Sequence, residues 1–196
     1  MRGFKNAVST LIVFILIVVL GALLYIYVGA YNVAASQEHS GSVTWLLKTA
    51  QVQSIRAHAD PLTEPLPTDS AAVWTGFEHY DAMCTTCHGA PGIDPSEIGE
   101  GLNPGPPELD EEVVSFFSDA QLFWIVKHGI KMTGMPAYGE THGDEELRAV
   151  TAFMKRLPDL SAGEYREMPT AVERSRADTA NTDTTSSVQS DHSHTH

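Results

Sequence analysis

The sequence predicts an all-α protein: one membrane-crossing helix followed by a small helical domain. Three observations carry that expectation. An uncharged, almost wholly apolar stretch runs from Ala7 to Ala30. Two later segments, Asp119–His128 and Asp144–Leu157, carry apolar residues at three- and four-residue steps. Nowhere is there the alternation or the paired turn signal of a β-hairpin.

The first stretch, AVSTLIVFILIVVLGALLYIYVGA, holds no charge and only Ser9 and Thr10 as polar side chains. A bilayer core of ~30 Å is crossed by about 20 apolar residues in a helix, so it is long enough to span. Arg2 and Lys5 precede it, and no Lys or Arg comes after it until Lys48. The positive-inside bias then keeps the N-terminus in the cytoplasm and exports the remainder of the chain. Tyr25, Tyr27 and Tyr31 fall where an interfacial aromatic belt would lie. Val33-Ala34-Ala35 would serve as a signal-peptide cleavage site, but a signal's apolar region runs only about 7–15 residues. A retained anchor is the expectation, and either reading exports the domain.

Residues 32–72 connect. Val43–His58 has loose helical spacing, with Val43, Leu46, Leu47, Ala50, Val52 and Ile55 on one side. It suits a membrane surface, a partner subunit or the face of the following domain. Asp60–Asp69 (DPLTEPLPTD) holds three prolines and reads as an extended linker. The domain proper is expected over 73–166. Residues 167–196, poor in large apolar side chains, read as a disordered acidic tail. Its His192, His194 and His196 would at most bind a divalent metal weakly.

Within the domain, Ala72–Met83 leads as a helix into Cys84-Thr85-Thr86-Cys87-His88. This C-x-x-C-H pattern is a c-type haem attachment sequence. Two thiols add across the porphyrin vinyl groups, and the adjacent histidine is delivered under the iron. A thioredoxin-like pair would need strands alternating with helices. Zinc would need further ligands at finger-like spacing. With only two cysteines in the chain, a disulfide framework is excluded. Asp119–His128 ends at Gly129. Asp144–Leu157 has acids in its first turn, Lys155 and Arg156 in its last, and Pro158 beyond.

A sixth ligand decides what such an iron does. Met83 abuts the attachment cysteine and points off the proximal side, Met154 lies on an apolar helix face, and Met168 borders the tail. The loop Lys131–Gly139 (KMTGMPAYG) remains, with Met132 and Met135. Met135 precedes Pro136, which holds it extended, and Gly134 admits close approach to a flat ligand. It lies 47 residues after His88 (135 − 88), enough chain to return on the opposite haem face. Met135 is preferred, with Met132, His128 or no ligand as alternatives. His58, His79 and His142 read as surface or hydrogen-bonding residues. Trp124 could reach a haem propionate or simply pack, and Lys127 and Lys131 could line a docking face.

CTTCHG, GLNPGPPEL, LFWIVKHGIKMTGMPAYG and the helix ending at Leu157 together resemble a class I, single-haem cytochrome c domain over roughly 73–160. The likeness is to membrane-anchored domains of bacterial respiratory chains, including those attached to haem-copper oxidases and quinoprotein dehydrogenases. The resemblance implies the cytochrome c fold, about three to five helices around one covalently bound haem c. Cys84 and Cys87 would hold it, with His88 and Met135 as axial ligands. Gly76 and Tyr80 would cross Val150 and Phe153, and the Pro106 carbonyl would accept from the His88 ring.

The functional expectation is a carrier of single electrons on the periplasmic side of the inner membrane, with no catalytic residue and no small-molecule substrate. Two axial ligands leave iron no open site, and Met/His ligation raises the potential. The alternatives are a haem subunit of a larger oxidase or dehydrogenase, and a haem enzyme or gas sensor with a vacant position. With 12 Lys and Arg against 25 Asp and Glu, a net charge of -13 argues against nucleic acid. It favours redox protein partners with a basic docking patch, met through steering.

Overall fold

The computed structural model describes residues 2–62, 64–109 and 111–169. The expected tail beyond 169, with its three histidines, lies outside the described residues. The chain divides into two units, Met1–Glu38 and His39–His196, each described by itself. Among the described residues the regular structure is helical, and the one β-type pairing is a bridge between Ala90 and Ile93.

The first unit is helix α1, Arg2–Tyr27. It is about 39 Å long at 1.5 Å per residue, and its stretch Gly3–Tyr27 is long and apolar enough to cross a membrane. None of that stretch is covered by protein. Gly29, at φ 72°, ends the helix, while Val28 N–H donates to the Leu24 carbonyl. The end falls three residues before the predicted Ala30.

In the second unit, α2 (Gly41–His58) extends the predicted Val43 start by two residues. Its C-terminal half is bound to the domain: Ile55 is buried, and the His58 ring lies 6.4 Å from Trp124. The linker after it has no regular structure among its described residues, and Glu64 pairs with Arg148 at 3.1 Å.

Helix α3 (Ser70–Met83) starts where the Asp69 carboxylate accepts from Ala72 N–H at 3.0 Å. It crosses the last long helix, α8 (Asp144–Met154), and that crossing is the centre of the domain. Gly76 permits it: a Cβ there would lie 2.2 Å from the Ala149 carbonyl oxygen and 2.8 Å from the Phe153 Cβ. Of the expected meeting of Gly76 and Tyr80 with Val150 and Phe153, the contacts of both with Phe153 are present, and Val150 lies in the same core. Phe77, Tyr80, Phe153 and Tyr165 pack with ring centres 5.4–6.4 Å apart, within the range aromatic pairs favour.

Four short helical turns and α7 join these two helices. They are α4 (Thr85–His88), α5 (Glu97–Glu100), α6 (Glu111–Phe116) and a 3₁₀ turn at Tyr138–Glu140. Helix α7 (Asp119–His128) has the predicted bounds. Ser118 and Gln121 form a reciprocal capping box, and Gly129, at φ 62°, stops it. Helix α8 ends at Met154 rather than at the predicted Leu157. Pro158 has no N–H to give the Met154 carbonyl, so the chain tightens into a 3₁₀ turn at Leu157–Asp159.

The core also reaches past the expected domain end at 166. Residues 162–169 are helical, and both Tyr165 and Met168 are buried in the main cluster. Met168 therefore belongs to the domain and not to a tail. Ser161 and Glu164 cap this helix mutually, with Ser161 N–H donating to the Glu164 carboxylate at 2.8 Å.

Candidate haem-binding site

The C-x-x-C-H segment is built as one tight turn at the end of α3. Cys84 closes α3 and opens α4, and its carbonyl accepts from both Cys87 N–H (3.0 Å) and His88 N–H (2.9 Å). Three-residue spacing brings the two free thiols to the same side of a helical turn. Gly89 then leaves the helix at φ 65°, and a Cβ on it would meet the Ile93 carbonyl oxygen at 2.6 Å.

Neighbouring elements clamp this turn. Tyr80 donates its hydroxyl to the Gly89 carbonyl at 2.9 Å. Ser96 donates both its N–H (3.0 Å) and its hydroxyl (2.8 Å) to the Thr86 carbonyl. Gly99 of α5 lies so close that a Cβ would be 2.8 Å from that same oxygen. Tyr165 donates to the Asp81 carboxylate at 2.9 Å, one turn before Cys84.

His88 is oriented from across the site. Its Nδ1 lies 2.8 Å from the Pro107 carbonyl oxygen. A carbonyl only accepts, so Nδ1 carries the proton and Nε2 keeps a free lone pair. Burial lowers the His88 pKa, partly offset by the Pro107 bond, and holds the ring neutral as a metal ligand requires. Sequence reading placed this acceptor at Pro106; it is Pro107. In an extended proline-rich run with three residues per turn, successive carbonyls point about 120° apart. A shift of one residue therefore aims a different oxygen at the ring, and composition cannot select among them.

Burial pushes the Cys84 thiol up to about 12, with Cys87 adding to the shift. Unmodified Cys84 is therefore a poor thiolate. Among the described residues no group of three or more His, Cys, Asp or Glu is placed to hold a metal ion.

The structure separates the methionine candidates. Met132 is 80% exposed, Met154 and Met168 are buried in the core, and Met83 packs against the core. Met135 is half-buried at the core's edge, in a pinned loop. Its N–H donates to the Thr133 hydroxyl at 3.1 Å and its carbonyl accepts from Ile130 N–H at 3.2 Å. Gly129 lies against it: a Cβ there would be 2.7 Å from the Met135 carbonyl oxygen. With both backbone groups paired internally, the Met135 side chain is left for packing or ligation. Tyr138, three residues on, donates to the Met83 carbonyl at 3.1 Å and ties the loop to the attachment turn.

Other residues singled out in the sequence go elsewhere. Trp124 lies between the His58 ring and the His128 ring, 5.0 Å from the latter. Lys127 pairs with Asp144 at 2.7 Å. His58 and His142 hydrogen-bond to the Ser54 carbonyl and the Thr141 hydroxyl, and His79 sits 3.8 Å from Glu146. Sequence reasoning missed Leu102, whose side chain fills the space beside Gly134: a Cβ on Gly134 would lie 2.6 Å from it. It also missed the Ser96 clamp. Neither contact has a local signature, since each joins segments distant in the chain.

An all-α domain whose cysteine pair and histidine share one braced turn has the arrangement of class I c-type cytochrome domains, which carry haem c on two such thiols. Residues 71–154 match the family described as cytochrome c oxidase, cbb3-type, subunit III. That match covers somewhat less than half of the chain, and the same chain carries an N-terminal helix of membrane-spanning length. No curated protein matches the chain.

Proposed function

We propose that the protein is a membrane-anchored carrier of single electrons with one haem c. Cys84 and Cys87 hold the haem as thioethers, and His88 and Met135 are its axial ligands. The observation that carries this reading is the His88–Pro107 hydrogen bond, which fixes the tautomer and leaves Nε2 as a neutral donor. When bound, haem c supplies a reversible ferrous/ferric couple. The chain's own residues do the rest. The clamped attachment turn holds the macrocycle in one orientation, and the half-buried Met135 offers a soft thioether that favours the ferrous state. With His88 and Met135 both engaged, no position is left for a substrate.

Arg2 and Lys5, ahead of the apolar helix, support an N-terminus in the cytoplasm and a haem domain on the periplasmic face of the inner membrane. The net charge of -13 steers it toward donors and acceptors with basic patches. A second reading has a specific ground: the matched family is named for an oxidase subunit. The same electron-carrying chemistry would then serve within a larger complex, and co-purification from detergent-solubilised membranes separates the two.

Carbon monoxide tests the ligation. The reduced wild type is expected to be low-spin and unreactive, with a weak long-wavelength sulfur-to-iron band when oxidised. Met135→Ala loses the band, lowers the reduction potential and binds carbon monoxide, while Met132→Ala and Met154→Ala behave as wild type. Rapid carbon monoxide binding by the wild type would overturn the carrier reading in favour of a haem enzyme or gas sensor.

A further inference from the structure

Helix α2 is used by the domain along only half its length. Ile55 is 1% exposed and anchors the C-terminal half, with the His58 ring near Trp124 and Arg56 over the Phe116 ring at 5.6 Å. The N-terminal half has no such cover. Trp45 is 67% exposed, Leu46 59% and Leu47 40%. Leu46 lies nine residues before Ile55, which at about 100° per residue puts it on the opposite side of the helix. Three large apolar side chains in a row, exposed beside one another, mark a surface that meets something other than water.

Charge identifies the occupant. The chain has 25 acidic residues, yet Gly41–His58 contains none; it carries Lys48, Arg56 and a C-terminal histidine. This is the reverse of what an acidic, water-facing helix of this protein would show. It matches the composition of a helix lying in a bilayer interface, where Trp and Leu enter the acyl boundary and Lys meets anionic headgroups. Chain length agrees: only residues 28–40 separate α1 from α2, a stretch whose full extension is about 45 Å.

We propose that the N-terminal half of α2 docks on the anionic phospholipid surface through Trp45, Leu46, Leu47 and Lys48, while its other half holds the haem domain. This rests on the reading of α1 as a membrane anchor. It makes α2 a bracket that sets how the cytochrome domain stands on the membrane, in place of a domain swinging on a free tether.

The test uses the full-length haem-loaded protein, purified and reconstituted in phosphatidylcholine vesicles with and without phosphatidylglycerol. The thiol of a Leu46→Cys variant is expected to react with a charged, water-soluble thiol reagent several-fold more slowly than that of Glu145→Cys, an exposed position on α8. The protection should deepen when phosphatidylglycerol is present. A phospholipid bearing a photoreactive group near its headgroup should leave adducts on the peptide containing Trp45–Leu47. Equal reaction rates with no adduct there would overturn the proposal. So would protection of Leu46→Cys with cross-links to a second copy instead of lipid. An acyl-chain photoprobe reports α1 separately: its failure to label Gly3–Tyr27 would sink the anchor reading itself, whereas labelling of α1 without α2 refutes the bracket alone.

Discussion

Replacing Gly76 by alanine probes the contact on which the domain is built. The added Cβ would sit 2.2 Å from the Ala149 carbonyl oxygen, 2.7 Å from its carbonyl carbon and 2.8 Å from the Phe153 Cβ. The first two are backbone atoms of α8, which cannot rotate aside as a side-chain end would. Helices α3 and α8 must therefore part, loosening the packing of Phe77 and Tyr80 on Phe153. Overpacking of this kind costs about 1–3 kcal/mol, and a clash with backbone belongs at the upper end. Against it stands the helix-propensity gain of alanine over glycine, about 1 kcal/mol. The net expectation is a loss of about 2 kcal/mol. Gly163→Ala is the matched control, because it gains the propensity with its nearest outside atom 3.9 Å away. Guanidinium unfolding of the haem-loaded protein, followed by far-ultraviolet circular dichroism, measures both. Should Gly76→Ala unfold at the same denaturant concentration as Gly163→Ala, the crossing is not as close as described and the reasoning fails.

Cys84→Ser and Cys87→Ser should each impair covalent haem attachment, read by haem staining of denaturing gels; a wild-type band that loses its haem there would contradict the thioether assignment. Tyr165→Phe removes a hydrogen bond to the Asp81 carboxylate and should cost about 1 kcal/mol in urea unfolding. The same residue predicts an alkaline trend. Burial first, and then the bond to Asp81, raise the Tyr165 pKa above its ordinary 10.0. Below pH 10 both folded and unfolded phenols are protonated; above it the unfolded one ionises first, so stability falls as pH rises. Tyr80 shifts in the same direction through its own burial, so Tyr165→Phe should flatten the fall without abolishing it.

The parts of the fold legible in the sequence are those with local causes. Helix α7 has its bounds where predicted because Ser118, Gln121 and Gly129 sit beside its ends in sequence. The helix over 162–169 carries an equally local signal, the S-x-x-E box of Ser161 and Glu164, and that pattern identifies it in hindsight. Helices α4 and α5 are single turns, too short for any periodicity to register. The attachment motif was legible because its chemistry lies in five consecutive residues. The parts that hold it were not: the Pro107 carbonyl, the Ser96 clamp and the Leu102 contact each join positions far apart in the chain. Sequence could nominate His88 and Met135, but the partner that orients His88 belongs to tertiary structure, while Met135 is pinned by its own loop.

One loop touches His88 and the residue next to Met135. The Pro107 carbonyl accepts a hydrogen bond from the His88 ring N–H, and five residues earlier Leu102 packs into the space left by Gly134, the neighbour of Met135. The segment from Leu102 to Pro107 thus links the His88 ring to the backbone beside Met135. On that ligation, its stiffness would matter more than any single contact, because a thioether is a weak ligand whose bond depends on being held in place. A proline-rich segment suits the task, since each proline fixes its own φ and restricts the residue before it. Gly134 completes the arrangement by leaving out a side chain, so that Leu102 can press directly on the backbone beside Met135. The three prolines that make the register of this loop illegible from sequence also stiffen the segment that holds the His88 ring and presses on Gly134.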